Sequence, residues 1–142
     1  MFKLIFLIFI FSVHAQATLG ERSAYAKASA DKQVRSTVKS LYSVNEVQEQ
    51  YLTIREYVYD GIVFAVTWAG AGRPNLNELL GKYFADYEDH SSPAQKVQGM
   101  RSHRQIRGNE VIVEVSGQMR SMQGKAYAPA LMPKGVTSDE IY

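Results

Sequence analysis

The chain has 142 residues, a formal net charge of +2 and no cysteine. A balance this close to neutral gives no global drive toward nucleic acid, which needs a basic stripe, and a chain without thiols forms neither disulfides nor thiolate metal sites. Its length is sufficient for one hydrophobic core.

The first seventeen residues, MFKLIFLIFIFSVHAQA, place Lys3 before an apolar run from Leu4 to Val13. Small Ala15 and Ala17 follow at the two positions that signal peptidase reads. This is the layout of a secretory signal peptide. The run is shorter than the roughly 20 residues a spanning helix requires, and no second apolar run of that length follows. The mature chain is expected to begin at Thr18. Removal of 17 of the 142 residues leaves 125 and, with Lys3 gone, a net charge of +1. A lipoprotein signal requires cysteine after the cleavage site, so a periplasmic or secreted destination without a lipid anchor or transmembrane segment is expected.

Glu21 to Val34, ERSAYAKASADKQV, is alanine-rich and has a thin apolar stripe. It reads as a short or frayed N-terminal helix. From Leu41 the period changes to two, and Tyr42 to Val47 reads as a strand. YLTIREYVY (Tyr51–Tyr59) and IVFAVTWA (Ile62–Ala69) flank Asp60-Gly61. Asp-Gly between two β-rich runs predicts a two-residue hairpin, because both turn positions need positive φ. Strict alternation from that turn pairs Tyr59 with Ile62, Tyr57 with Phe64 and Arg55 with Val66. One face then carries Tyr57, Tyr59, Ile62, Phe64, Val66 and Trp68. Apolar residues on both faces of the second strand predict that it is central and covered on both sides.

WAGAGRPNLNELLGK (Trp68–Lys82) joins that strand to a helical pattern. Asn75 is a candidate N-cap, with Glu78 three residues on. Leu76, Leu79, Leu80, Tyr83, Phe84 and Tyr87 form one apolar stripe on a main helix. A strand, a glycine loop and a helix suggest a phosphate site, but the chemistry is wrong. A Rossmann loop needs glycine where Asn75 stands, and a Walker A loop needs glycine where Leu76 stands. Gly70 and Gly72 are therefore read as bend-formers, and no cofactor is expected.

Residues 88–108 read as a linker. Val111, Val113 and Val115 resume the alternation. Gln118–Met122 and Lys125–Tyr127 read as two short strands joined near Gly124. Pro133–Gly135 reads as a turn, with Thr137 or Ser138 capping a last helical turn. The total is an α+β domain over 18–142, with an antiparallel sheet of about five strands and one main amphipathic helix packed on a face.

Candidate chemistry is sparse. Asp86, Glu88, Asp89 and His90 have metal-binding side chains, but they crowd one helix end and read as solvated. Lys96, Arg101, His103, Arg104 and Arg107 form a basic stretch over 96–107 suited to anion binding, such as a glycan or lipid head group; the alternative is a solvated loop. The aromatic hairpin face reads as core, with glycan or peptide recognition as the alternative. No G-x-S-x-G elbow is present. Glu56, Glu110 and Glu114 lie on strands, so a carboxylate hydrolase stays open, although nothing marks two of them as a pair. No catalytic or metal-binding residue is assigned.

ATLGE (Ala17–Glu21), REYV (Arg55–Val58), GIVFAVTW (Gly61–Trp68), PNLNELLGKYF (Pro74–Phe84) and MRSMQGKAYAP (Met119–Pro129) together resemble a family of small exported bacterial proteins known as domain of unknown function 2844. The likeness spans the mature chain, and the hairpin-to-helix block is its specific part. It implies a bacterial source and export, and it brings no activity or catalytic residue. The turn at Tyr59-Asp60-Gly61 is one residue shorter than the usual family pattern. The combined expectation is a non-enzymatic periplasmic or secreted domain with an envelope or extracellular partner. A small hydrolase or a surface component acting through the basic stretch remains as the alternative.

Overall fold

A computed structural model of the chain describes residues 18–23, 34–49, 51–91, 103–118 and 121–142. Among these residues seven strands form one antiparallel sheet: β1 (Val34–Val38), β2 (Ser43–Gln48), β3 (Leu52–Tyr59), β4 (Ile62–Gly70), β5 (His103–Arg107), β6 (Ile112–Gln118) and β7 (Ser121–Tyr127). Their order is β1-β2-β3-β4-β7-β6-β5. Two meanders, β1–β4 and β5–β7, meet where β4 pairs with β7. The fold is α+β as expected, but the sheet has seven strands rather than about five.

The additional strands lie at the edges. β5, HRQIR, falls within the expected linker, and only its Ile106 is buried. β1, VRSTV, begins at Val34, where a helix was expected to end. An edge strand wetted on most sides shows little apolar alternation, so the pattern that reveals inner strands is absent. The start of the expected N-terminal helix is also corrected. Arg22 bridges Ile62, Leu19 N–H donates to the Leu79 carbonyl at 2.8 Å and Gly20 N–H to the Val63 carbonyl at 2.8 Å. Thr18–Ser23 is thus a non-helical segment laid between helix and sheet, with Leu19 fully buried. Residues 24–33, like the expected signal peptide over 1–17, lie outside the described residues.

The hairpin turn is the one its dipeptide predicts. Asp60 has φ of 50° and Gly61 of 76°, and Tyr59 pairs with Ile62. Val58 then faces Val63, but Tyr57 faces Ala65. Phe64 is the extra residue of a β-bulge, which shifts every later position by one. Arg55 consequently faces Thr67 rather than Val66. The expected single aromatic face is split. Val63, Val66 and Trp68 join Leu52, Ile54 and Val58 in one core. Phe64 and Ala65 join Tyr57, Tyr42 and Tyr127 in a second core on the other face. The central, doubly covered character of β4 holds: Val63 through Trp68 are all buried.

The main helix covers the first core. It consists of α1 (Leu76–Leu80), a 3-10 turn (Gly81–Tyr83) and α2 (Phe84–His90), so it is broken where Gly81 takes φ of 52°. Leu79, Leu80 and Tyr83 are buried in that core, with Leu76, Phe84 and Tyr87 packed against it. The expected stripe does face the sheet. Asn75 occupies the N-cap position without a side-chain capping bond, which corrects the capping box expected with Glu78. In the loop before it, the Gly72 N–H donates to the Tyr51 carbonyl at 3.1 Å. A Cβ at Gly70 would sit 2.1 Å from that same oxygen. The two glycines let the strand end and the loop close over Tyr51.

The segment after β7 covers part of the second face. A 3-10 turn (Pro129–Leu131), a bend at Pro133 and a second 3-10 turn (Ser138–Glu140) carry Val136 and Ile141 onto Tyr42, Tyr57 and Phe64. Glu140 accepts from the Thr137 N–H at 3.1 Å, consistent with Thr137 at the head of that last turn. The joint expected near Gly124 is not there. β7 runs unbroken through it, with Gly124 opposite Trp68 on one side and Val115 on the other.

A candidate binding groove on the second sheet face

Among the described residues, the C-terminal segment leaves the far half of the second face uncovered. Strand alternation turns Thr53 and Arg55 of β3, Thr67 of β4, Gln123 and Lys125 of β7, Glu114 and Ser116 of β6 and His103 of β5 to this side. They line a groove of about 300 Å³ with Ile141 and Tyr142 at one wall. Five strands, drawn from both meanders, thus supply a contiguous polar surface.

Its charges are arranged in pairs. Arg55 Nε lies 2.7 Å from Glu46 Oε2, and its Nη1 donates to the Tyr142 backbone oxygen at 3.2 Å. Lys125 Nζ lies 3.5 Å from Glu114 Oε2 and donates to the Ser138 carbonyl at 2.9 Å. Gln105 Nε2 donates to the other Glu114 oxygen at 2.8 Å, and Gln123 Nε2 to Ser116 Oγ at 3.2 Å. Tyr57 fastens the wall: its hydroxyl donates to the Tyr142 oxygen and accepts from the Tyr142 N–H at 3.0 Å. Burial raises the Tyr57 phenol above its ordinary value of 10.0 against the opposing bonds to Tyr142 and Thr67. It therefore stays a protonated donor at neutral pH. The surface offers fixed donors and acceptors with nearly balanced charge.

The carboxylates do not converge. Glu56 pairs with Val66, which pairs with Ala126, which pairs with Val113. Glu114 is the next residue along β6, so it emerges on the opposite face. Glu56 is fully buried. Its Oε2 accepts from Ser23 Oγ at 2.6 Å and Asn45 Nδ2 at 3.4 Å, while Oε1 has no partner among the described residues. Burial raises its carboxyl above the ordinary 4.5, opposed by the bonds from Ser23 and Asn45. Glu110 is exposed in the β5–β6 turn.

Asp86 has a structural role. Its carboxylate accepts from the backbone N–H groups of Asn109 at 2.9 Å, Glu110 at 2.8 Å and Val111 at 3.2 Å. Partial burial pushes its carboxyl up, and those three bonds, helped by His90 with Nδ1 at 3.3 Å, bring it below its ordinary 3.8. The acid thereby ties α2 to the β5–β6 turn. Among the described residues no group of three or more histidines and carboxylates is placed to hold a metal ion.

The sequence-derived anion site is distributed along an edge. His103 and Arg107 project from one face of β5 and Arg104 from the other. His103 borders the groove. Arg107 Nε donates to Gln105 Oε1 at 3.1 Å, and Arg104 Nη2 donates to the Ser91 carbonyl at 2.5 Å. Arg101, Lys96, Ala15 and Ala17 lie outside the described residues. Sequence reasoning passed over Arg55, Glu114, Gln123 and Lys125 as a group. Their only local signal is polar alternation on strands whose other face is apolar, and it does not say which strands adjoin. No helix among the described residues is long and apolar enough to cross a membrane.

A family model described as "Protein of unknown function (DUF2844)" matches residues 15–141. No curated protein and no solved structure matches the chain.

Proposed function

Because the chain belongs to the DUF2844 family of proteins of unknown function, membership brings no activity, and we propose one from the chain itself: an exported, non-enzymatic binding domain that meets an envelope or extracellular partner through the open half of its second sheet face. The observation that carries this reading is the polar groove between Arg55, Glu114 and Lys125, formed on a rigid sheet with its charges already paired. Such a surface recognises by hydrogen bonding and shape. A hydrolase that pairs Glu56 with Glu114 is disfavoured, since the two stand on opposite faces of the sheet and cannot flank one bond. Export rests on Lys3, the run Leu4–Val13 and the small residues Ala15 and Ala17, and a bacterial source on the family resemblance alone.

Anion capture by Arg101, His103, Arg104 and Arg107 is the second reading. It is favoured by the exposed position of the last three on an edge strand. The test is recovery of partners from the periplasm and medium of the producing cell by the tagged protein. Loss of the captured partner on Gln123→Ala and Lys125→Ala supports the groove. Loss only on the combined replacement of Arg101, Arg104 and Arg107 supports the edge. A tagged protein found only in the cytoplasm, with its N-terminus uncleaved, overturns export.

A further inference from the structure

Resting on the reading of the groove as a binding site, we infer that its ligand is an uncharged, polyhydroxylated chain: a neutral glycan. The argument is one of charge and spacing. Each cation in the groove already has an anion beside it, Arg55 with Glu46 at 2.7 Å and Lys125 with Glu114 at 3.5 Å. An incoming carboxylate or phosphate meets Glu114 as well as Lys125, and an incoming ammonium meets Arg55 and Lys125 as well as Glu114. Neither gains a net Coulomb attraction. A hydroxyl both donates and accepts, so it is served by a carboxylate and an adjacent cation together. Vicinal hydroxyls present that demand side by side, as Lys125 and Glu114 stand 3.5 Å apart, and hydroxyls further along a chain would reach Gln123, two residues on along the same face of β7.

The ring of Tyr142 at the groove wall is 72 % exposed, although the Lys39 ammonium stands 5.3 Å from its centroid. An exposed aromatic ring beside a polar array suits a sugar, whose ring has an apolar C–H face and a polar rim. The array runs across five strands, from Thr53 and Arg55 to His103, which suits a chain rather than a single small molecule.

The experiment is affinity electrophoresis and calorimetry of the purified protein against neutral polysaccharides (dextran, a β-glucan, a galactomannan) and acidic ones (alginate, hyaluronan). The expected result is retardation by at least one neutral polymer and by neither acidic one. Gln123→Ala and Glu114→Gln should each weaken binding about tenfold, the loss of one charge-assisted or fixed amide contact, while Glu78→Ala on the helix leaves it unchanged. Emission of the lone tryptophan checks that each variant is folded, and the exposed Gln123 keeps the test open if the Glu114 variant is not. Tighter binding of the acidic polymers, neutral binding indifferent to both groove variants, or binding to no polymer overturns the inference. If no glycan binds but a captured protein is lost on the same variants, the ligand class fails and the groove reading stands. If neither occurs, both fail.

Discussion

Gly124→Ala tests the packing at the centre of the sheet. Gly124 lies mid-strand in β7, opposite Trp68. A Cβ there would stand 2.2 Å from Trp68 Cζ2, 2.4 Å from Cε2 and 2.8 Å from Nε1. Ordinary carbon contacts lie at about 3.5–4.0 Å, so the indole would have to retreat by more than an ångström. It has nowhere to go, being 2 % exposed and packed within the first core. Overpacking of this kind costs about 1–3 kcal/mol, and the depth of the clash places this case near 3. Removing glycine's excess chain entropy from a strand interior returns up to about 1 kcal/mol. The net expectation is about 2 kcal/mol, or a melting temperature lower by roughly 6–10 °C for a domain of this size. Urea unfolding followed by Trp68 fluorescence, the chain having one tryptophan, measures the loss and reports any displacement of the indole. A double-mutant cycle isolates the cause: in a Trp68→Leu background, followed by circular dichroism, the added methyl should cost far less. A stability change within about 0.5 kcal/mol with unshifted emission, or an equal cost in both backgrounds, would refute the packing argument.

Glu56→Gln should become increasingly favourable relative to wild type as pH rises. The folded carboxyl is raised by burial, so its contribution is full below the unfolded value and is lost as pH climbs through the folded one. Urea midpoints at pH 4 and pH 8 check this, and an identical difference at both would contradict it. Asp86→Ala should destabilise by about 1–3 kcal/mol through three orphaned amides and speed hydrogen exchange at Asn109–Val111; unchanged exchange there would remove its tethering role. Because the Asp86 carboxyl is depressed in the fold, its contribution is present above the ordinary carboxyl range and fades as pH falls through the folded value. Asp86→Asn should blunt that acid-side loss. Phe64→Ala should cost about 3–5 kcal/mol, since the bulged phenyl is fully buried against Tyr42 and Tyr57 at 5.6 and 6.2 Å; a cost below about 1 kcal/mol would mean the second core does not depend on it.

What the sequence reveals of this fold follows the range of the forces involved. Asp60-Gly61 is readable because its backbone angles are a local matter. The stripe from Leu76 to Tyr87 is readable because one helix face repeats within a few residues. The bulge at Phe64 is not, because β4 is apolar on both sides and alternation there carries no phase. β1 and β5 escape notice because polar edge strands resemble loops in composition. The groove escapes notice for a different reason. Arg55, Glu114 and Lys125 become neighbours only through the pairing of β4 with β7 and β7 with β6, and no local pattern encodes which strands adjoin. His103, marked in the sequence for its cationic neighbours, borders the groove through its register with Ser116.

The strand order has a kinetic corollary. Each meander closes through short turns, whereas joining β4 to β7 requires looping the chain from Gly70 to Ser121. The two ribbons can zip early and independently, and the slow event is the search that lays one against the other, since loop-closure entropy is lost before the seam's contacts form. Substitutions along that seam, Gly124 among them, should slow the folding limb of a chevron plot to the extent that the seam's contacts are formed at that docking barrier.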